Sequence, residues 1–194
     1  MIRGILSQTA HKSGPVGRPL QASRTREPDT GMAWGTLVHG LLEHAMRGPH
    51  RDRAHLERLA NWLTFGNAEL RRVVPEALQT VERVMASEFW QQAMAAEERQ
   101  VEVPFAVTVA GSTPPTILYG VVDLAYRAPD GWHLIDYKTD QADMNALRER
   151  YAGQLRQYST QWSALTDQPI GHVAIYRIRG DELSADLRSG AKQS

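Results

Sequence analysis

The amino-acid sequence predicts an α/β fold, with a mixed central sheet flanked by helices and a helical N-terminal half. Three observations carry this. Apolar residues recur at helical spacing as far as Ala96. The period then drops to two over three consecutive segments between Val101 and Thr139. Helical spacing returns over 143–165 and joins the third of those segments to a last one, 172–178; a crossover helix of this kind links strands within one sheet.

The elements follow in order. Residues 1–30 are rich in Gly, Ser, Thr, Pro and Arg without a lasting apolar period, and are expected to be a flexible tail or linker. Over 32–47, Trp34, Leu37, Val38, Leu41, Leu42 and Ala45 form one stripe that Gly48 and Pro49 stop. Leu56, Leu59, Ala60 and Leu63 align a second helix over 52–64. Asn67 is placed to cap a short helical turn, and Pro75 suits the first position of the next helix, continued by Ala77, Leu78, Val81, Val84 and Met85. Ser87 is the expected cap of a helix through Ala96. Val101, Val103, Phe105, Val107 and Val109 then alternate with Glu102, Pro104, Ala106 and Thr108, which predicts a strand with two distinct faces. Residues 111–115 read as a turn, 117–127 as a second strand, and Pro129-Asp130-Gly131 as the turn into a third, 132–139. Leu147, Tyr151, Leu155, Tyr158, Trp162 and Leu165 stripe the crossover helix. Residues 31–180 are thus expected to form one domain, with a flexible polar tail over 181–194.

Composition removes several classes. A chain of 194 residues is long enough to bury a core without staples, and it has no cysteine. Disulfides, thiolate zinc sites and cysteine-ligated iron–sulfur clusters are therefore excluded within it. No apolar run reaches membrane-spanning length and no signal-peptide core opens the sequence, so a cytoplasmic protein with no membrane partner is expected. No GxxxxGK[ST], GxSxG or HExxH occurs. Twenty-two cations balance 22 anions, which argues against binding nucleic acid by bulk charge alone. The balance is uneven, however. Residues 1–60 carry nine cations against five anions, residues 101–147 two against six, and residues 148–194 seven against five. The acidic surplus falls on the strands.

Two acids interrupt apolar strands. In Leu134-Ile135-Asp136-Tyr137-Lys138-Thr139, alternation puts Asp136 and Lys138 on one face and Tyr137 on the other. Such a pair is commonly a plain ion pair, but charges on a largely buried strand need a reason. In Gly120-Val121-Val122-Asp123-Leu124 the second acid lies one hairpin earlier, where Asp123 comes beside Asp136. Two close carboxylates repel unless a cation lies between them, and Mg²⁺ binds through one or two carboxylates. The bland alternative is an acid satisfied by backbone donors. Glu102 alone reads as a solvated face residue. Gln154 and Tyr158 share a helix face, and the Gln154 amide, within an apolar stripe, needs a partner. His39 flanks the first stripe with Glu43 one turn on; a lone histidine there is usually structural.

Taken in order, Gly35-Thr36-Leu37-Val38-His39, Glu102-Val103-Pro104-Phe105, Gly120-Val121-Val122-Asp123, Asp136-Tyr137-Lys138-Thr139 and Gln154-Leu155-Arg156-Gln157-Tyr158 resemble the PD-(D/E)XK nuclease superfamily, most closely the RecB/AddA-type nuclease domain at the C-terminus of helicase–nucleases. The resemblance covers about residues 31–178. It implies a restriction-endonuclease-like core and a metal-dependent deoxyribonuclease that hydrolyses phosphodiester bonds, of exonuclease type, in DNA end processing and recombinational repair. It implies His39, Asp123, Asp136 and the Tyr137 carbonyl as ligands of Mg²⁺, with Mn²⁺ as a substitute. Lys138 is implied as the group that positions the attacking water and stabilises the transition state, Glu102 as an accessory acid, and Gln154 and Tyr158 as the helix pair that supports the site and contacts the strand. The absence of cysteine departs from relatives that hold an iron–sulfur cluster. The implied partners are DNA and a helicase subunit or domain in cis or in trans; the chain is expected to be a free-standing nuclease, a severed domain or one member of a complex. The alternative is a non-catalytic DNA-binding or scaffold module that keeps the fold. With neutral overall charge, DNA binding is expected to be metal-assisted and confined to one face.

Overall fold

A computed structural model describes residues 30–109 and 116–187. Of the expected tail over residues 1–30, residues 1–29 lie outside the described residues and Thr30 opens a helix; the turn at 111–115 and the last part of the expected C-terminal tail, 188–194, also lie outside the described residues. Helices α1 (Thr30–Arg47), α2 (Arg53–Leu63), α3 (Ala68–Arg72), α4 (Val74–Met85) and α5 (Glu88–Ala95) precede strands β1 (Arg99–Val109), β2 (Thr116–Ala128) and β3 (Gly131–Lys138). Helix α6 (Met144–Thr166) and strands β4 (Ile170–Arg177) and β5 (Glu182–Leu183) follow. The expected helix starts are visible in the caps. Asp52 accepts from the His55 amide, Asn67 from that of Leu70 and Asp143 from that of Ala146, each at about 3 Å. Ser87 stands at the cap position of α5 but turns back, donating its hydroxyl to Val84 O at 2.6 Å.

The five strands form one sheet in the order β1-β2-β3-β4-β5. β1, β2 and β3 pair antiparallel, β4 runs parallel to β3 through the α6 crossover, and β5 returns antiparallel on β4. The sheet is therefore mixed, as the crossover required. Helices α1 to α5 cover one face, where Leu41, Leu42, Val81 and Trp90 pack on Leu124, Tyr126, Ile135 and Tyr176. Helix α6 covers the other through Leu147, Leu155, Tyr158 and Trp162, against Ala125, Leu134, Val173 and Ile175.

Two expectations are corrected. Val101, Val103 and Phe105 do not share a face: Val101 packs in the core under α1–α5, Val103 and Phe105 in the core under α6. Alternation breaks at Glu102, whose φ of 52° lies in the left-handed region. β2 breaks at the facing position, with Val122 under α6 and Leu124 under α1–α5. Second, residues 181–187 are not a loose polar end. β5 pairs with β4, Ser184 N donates to Ile175 O at 2.8 Å, Leu187 N donates to Val173 O at 2.9 Å, and the Leu187 side chain is buried. The outer edge of β4 carries backbone groups that need partners, and this segment supplies them.

Candidate active site

The site forms where the sheet comes apart. The β2–β3 ladder ends at the pair Leu124–Ile135. One step further, where Asp123 faces Asp136, the strands diverge, and the Asp123 carboxylate reaches across to accept the Tyr137 N–H at 2.5 Å. Asp123 and Asp136 are both buried. On the far side of Asp123, the β1–β2 register sets Glu102 opposite it, and the left-handed backbone of Glu102 sends its side chain toward α1. A non-glycine residue held at positive φ carries local strain of order 1–3 kcal/mol. Arg47 of α1 holds the strand here, donating to Val101 O at 2.6 Å while paired with Glu43 at 2.9 Å.

His39 reaches the same place from α1. Its Nδ1 is 3.6 Å from Asp123 Oδ1, and its ring lies edge-on to Tyr137 at 5.8 Å. The close approach of α1 to the end of β3 depends on Gly35, where a Cβ would lie 2.6 Å from Thr139 Oγ1. His39, Glu102 and Asp123 each bring one ligand atom within 4.8 Å of the others. Two carboxylates and an imidazole suit a divalent cation. Glu102, read from the sequence as accessory, thus stands in this trio, whereas Asp136 turns to Lys138, with Nζ and Oδ2 2.6 Å apart. Asp136 and Lys138 share the α6 face of β3, and Tyr137 is buried on the opposite face, as alternation predicted.

The second wall is α6. Lys138 Nζ sits 4.2 Å above the Tyr151 ring, a contact that sequence reasoning missed because Tyr151 reads simply as part of the apolar stripe. Its signal was its place one and two turns before Gln154 and Tyr158. Gln154 Nε2 donates to the Tyr158 hydroxyl, and the Tyr158 ring meets Phe105 edge-on at 4.4 Å. Gly120 admits that hydroxyl, since a Cβ there would lie 2.7 Å from Tyr158 Oη. The amide of Gln154 thereby finds the partner its position demanded.

The electrostatics of the site are those of crowded acids. Burial, followed by the charge of Asp123, pushes the Asp136 carboxyl up to about 6, against the pull of Lys138. Burial and then Asp123 also raise Glu102. Burial by itself lowers His39, but the hydrogen bond and charge of Asp123, with Glu102 and Asp136 behind them, outweigh it and leave the imidazole raised. Burial likewise lowers Lys138, and Asp136 more than offsets it, so the ammonium keeps its proton at neutral pH.

A mixed sheet flanked by helices, with an acid cluster at its splayed centre and a buried Asp-x-Lys strand beside it, defines a restriction-endonuclease-like nuclease core. A family model for the PD-(D/E)XK nuclease superfamily matches residues 16–191, and the chain belongs to that superfamily. It is similar to an ATP-dependent helicase/nuclease subunit from Bacillus licheniformis, 24% identical over 168 residues that cover 75% of this chain and 14% of that protein. The subunits of the same name from Acetivibrio thermocellus and Heliobacterium modesticaldum are each 27% identical over 73% of this chain, covering 12% and 10% of those proteins. The chain therefore spans about an eighth of the length of these relatives. Among the described residues no helix is long and apolar enough to cross a membrane.

Proposed function

We propose that the chain is a Mg²⁺-dependent deoxyribonuclease, with Mn²⁺ as a substitute, that hydrolyses DNA phosphodiester bonds as an exonuclease in end processing and recombinational repair. The observation that carries this is the convergence of His39, Glu102 and Asp123 beside the Asp136–Lys138 pair. His39, Asp123, Asp136 and the Tyr137 carbonyl, with Glu102 now close enough to join them, would hold the cation. When bound, it supplies Lewis acidity at the scissile phosphate and lowers the pKa of the attacking water. Lys138, kept protonated by Asp136, does not act as a base; its ammonium orients the nucleophilic water and offsets negative charge developing on the phosphorane-like transition state. Asp136 fixes that ammonium, and the Tyr151 ring packs against it. Gln154 and Tyr158 support this wall; Tyr158 is buried within it, so contact with the nucleic-acid strand falls to the half-buried Gln154. Because similar proteins are named helicase/nuclease subunits and are far longer, we assign the chain a helicase partner, in cis or in trans.

The test is incubation of linear end-labelled DNA with Mg²⁺ or Mn²⁺. Mononucleotides or short products released from the ends are expected from the wild type, with cleavage lost in Asp123→Ala and Lys138→Ala proteins that keep wild-type circular dichroism. Wild-type protein that binds DNA but leaves it whole in both metals, alone and with the helicase partner, selects the non-catalytic DNA-binding module instead.

A further inference from the structure

Past the point where β2 leaves β3, β1 and β2 continue as a two-stranded ribbon. Its register pairs Pro104 with Val121 and Ala106 with Tyr119, two and four residues outward from the facing acids Glu102 and Asp123. Phe105 and Val122 on one face of the ribbon pack under α6. Pro104, Ala106, Tyr119 and Val121 lie on the other face, the face that leads to His39, and Tyr119 is 73% exposed and Val121 39%. Uncovered faces of antiparallel sheets ordinarily carry polar residues. This one is apolar with an aromatic ring, and residues 100–126 contain no Lys or Arg. A surface that tracks phosphates needs cations. A neutral aromatic and aliphatic face suits the flat, uncharged face of a nucleobase.

We propose that Tyr119, with the Val121–Pro104 pair, forms a base-stacking subsite that holds the substrate strand beside the reacting phosphate. This rests on the nuclease reading above. Tyr119 stands four residues from Asp123, about 13 Å along the strand, so the stacked base lies a few nucleotides from the bond that is cut. A base inside a duplex is both paired and stacked; a base free of its pair enters this subsite at a smaller cost. The continuity of the face with the acids favours nucleic acid over a protein occupant, because a protein seated on Val121 and Pro104 would cover the approach to Asp123 and Glu102.

The experiment uses a short oligo-dT carrying one 2-aminopurine, with Ca²⁺ replacing Mg²⁺ so that binding is followed without relying on cleavage. Wild-type protein is expected to quench the 2-aminopurine on binding. Tyr119→Phe should retain the quenching. Tyr119→Ala should lose it and bind about tenfold more weakly, and in Mg²⁺ its loss of activity should fall mainly on KM. Tyr119 is exposed, so the variants should melt with the wild type, which separates lost stacking from lost fold. Quenching by a wild type that never cleaves upholds the subsite and sinks the hydrolase reading. Cleavage that Tyr119→Ala leaves unchanged in KM and in quenching does the reverse. Sedimentation showing a self-associated wild type and a monomeric Tyr119→Ala, without quenching in either, makes a second copy the occupant and overturns the proposal.

Discussion

Asp136 is expected to lower the stability of the protein without metal, and Asp136→Asn should make it more stable. The carboxyl is 4% exposed and its pKa is pushed from the ordinary 3.8 to about 6, with Lys138 already beside it. An acid with a raised folded-state pKa binds more protons folded than unfolded between those two values. Stability therefore falls as pH rises from about 4 to about 6, and above that the full penalty applies. Two units correspond to about 3 kcal/mol at most, since each is worth about 1.4 kcal/mol. The asparagine keeps the shape and an oxygen for Lys138 while removing the titration, so a gain of about 1–2 kcal/mol near pH 7.5 is expected once the weakened contact to Lys138 is subtracted. Urea denaturation in EDTA at about pH 4 and about pH 7.5, on wild type and variant, measures it. The wild type should lose stability toward the higher pH, and the variant should lose less, keeping only the part that Glu102 and His39 contribute. A variant no more stable than the wild type near pH 7.5, or two parallel pH profiles, would refute the argument that burial and Asp123 dominate over Lys138.

Other outcomes follow from the same geometry. Mg²⁺ or Mn²⁺ should raise the melting temperature by mass action, by about 2.7 kcal/mol of stability at a hundredfold excess over Kd, and His39→Ala or Asp123→Ala should reduce the effect. The rise should shrink as pH falls, because His39, Glu102 and Asp136 all have raised pKa values and must release protons to bind metal; a shift independent of pH in differential scanning fluorimetry counts against these ligands. Gly120→Ala should cost about 1–3 kcal/mol in urea melts, since its Cβ meets Tyr158 and Phe105, and unchanged stability would mean that the ribbon shifts freely. Deleting residues 182–194 should lose about 1.5–3 kcal/mol from Leu187 alone and expose the β4 edge to aggregation; a truncated protein as stable and soluble as the full chain would restore the loose-tail reading.

The sequence made the α/β order, the meander and the crossover legible because periodicity survives wherever an element is regular. β3 is such an element: the faces of Asp136, Tyr137 and Lys138 followed from counting by two. Glu102 did not follow, because a residue at positive φ leaves no mark on the apolar pattern and counting by two puts Val101 and Val103 together. His39 entered only through its resemblance to a motif; nothing in the α1 stripe distinguishes it from a structural histidine. Residues 181–187 were missed for a different reason. Their polarity signals exposure, which is correct for Asp181 and Glu182, but much of the edge pairing is made by backbone groups that carry no sequence signature.

The feature that alternation could not give, the break in two facing strands, is one on which the site depends. The breaks in β1 and β2 fall at facing positions, Glu102 and Asp123. A regular sheet continued through this point would have kept β2 bonded to β3 and directed the two acids by simple alternation. Breaking both strands together ends the ladder, leaves the Tyr137 N–H for a carboxylate and turns Glu102 toward His39. The strain at Glu102 and the repulsion around Asp136 then share one origin: acids drawn closer than an unliganded sheet favours. Neutral net charge conceals this, since the cations that balance the acids lie largely toward the ends of the chain. A cation placed among the carboxylates would offset that repulsion, so the expected instability without metal and the proposed metal site would be two aspects of one arrangement.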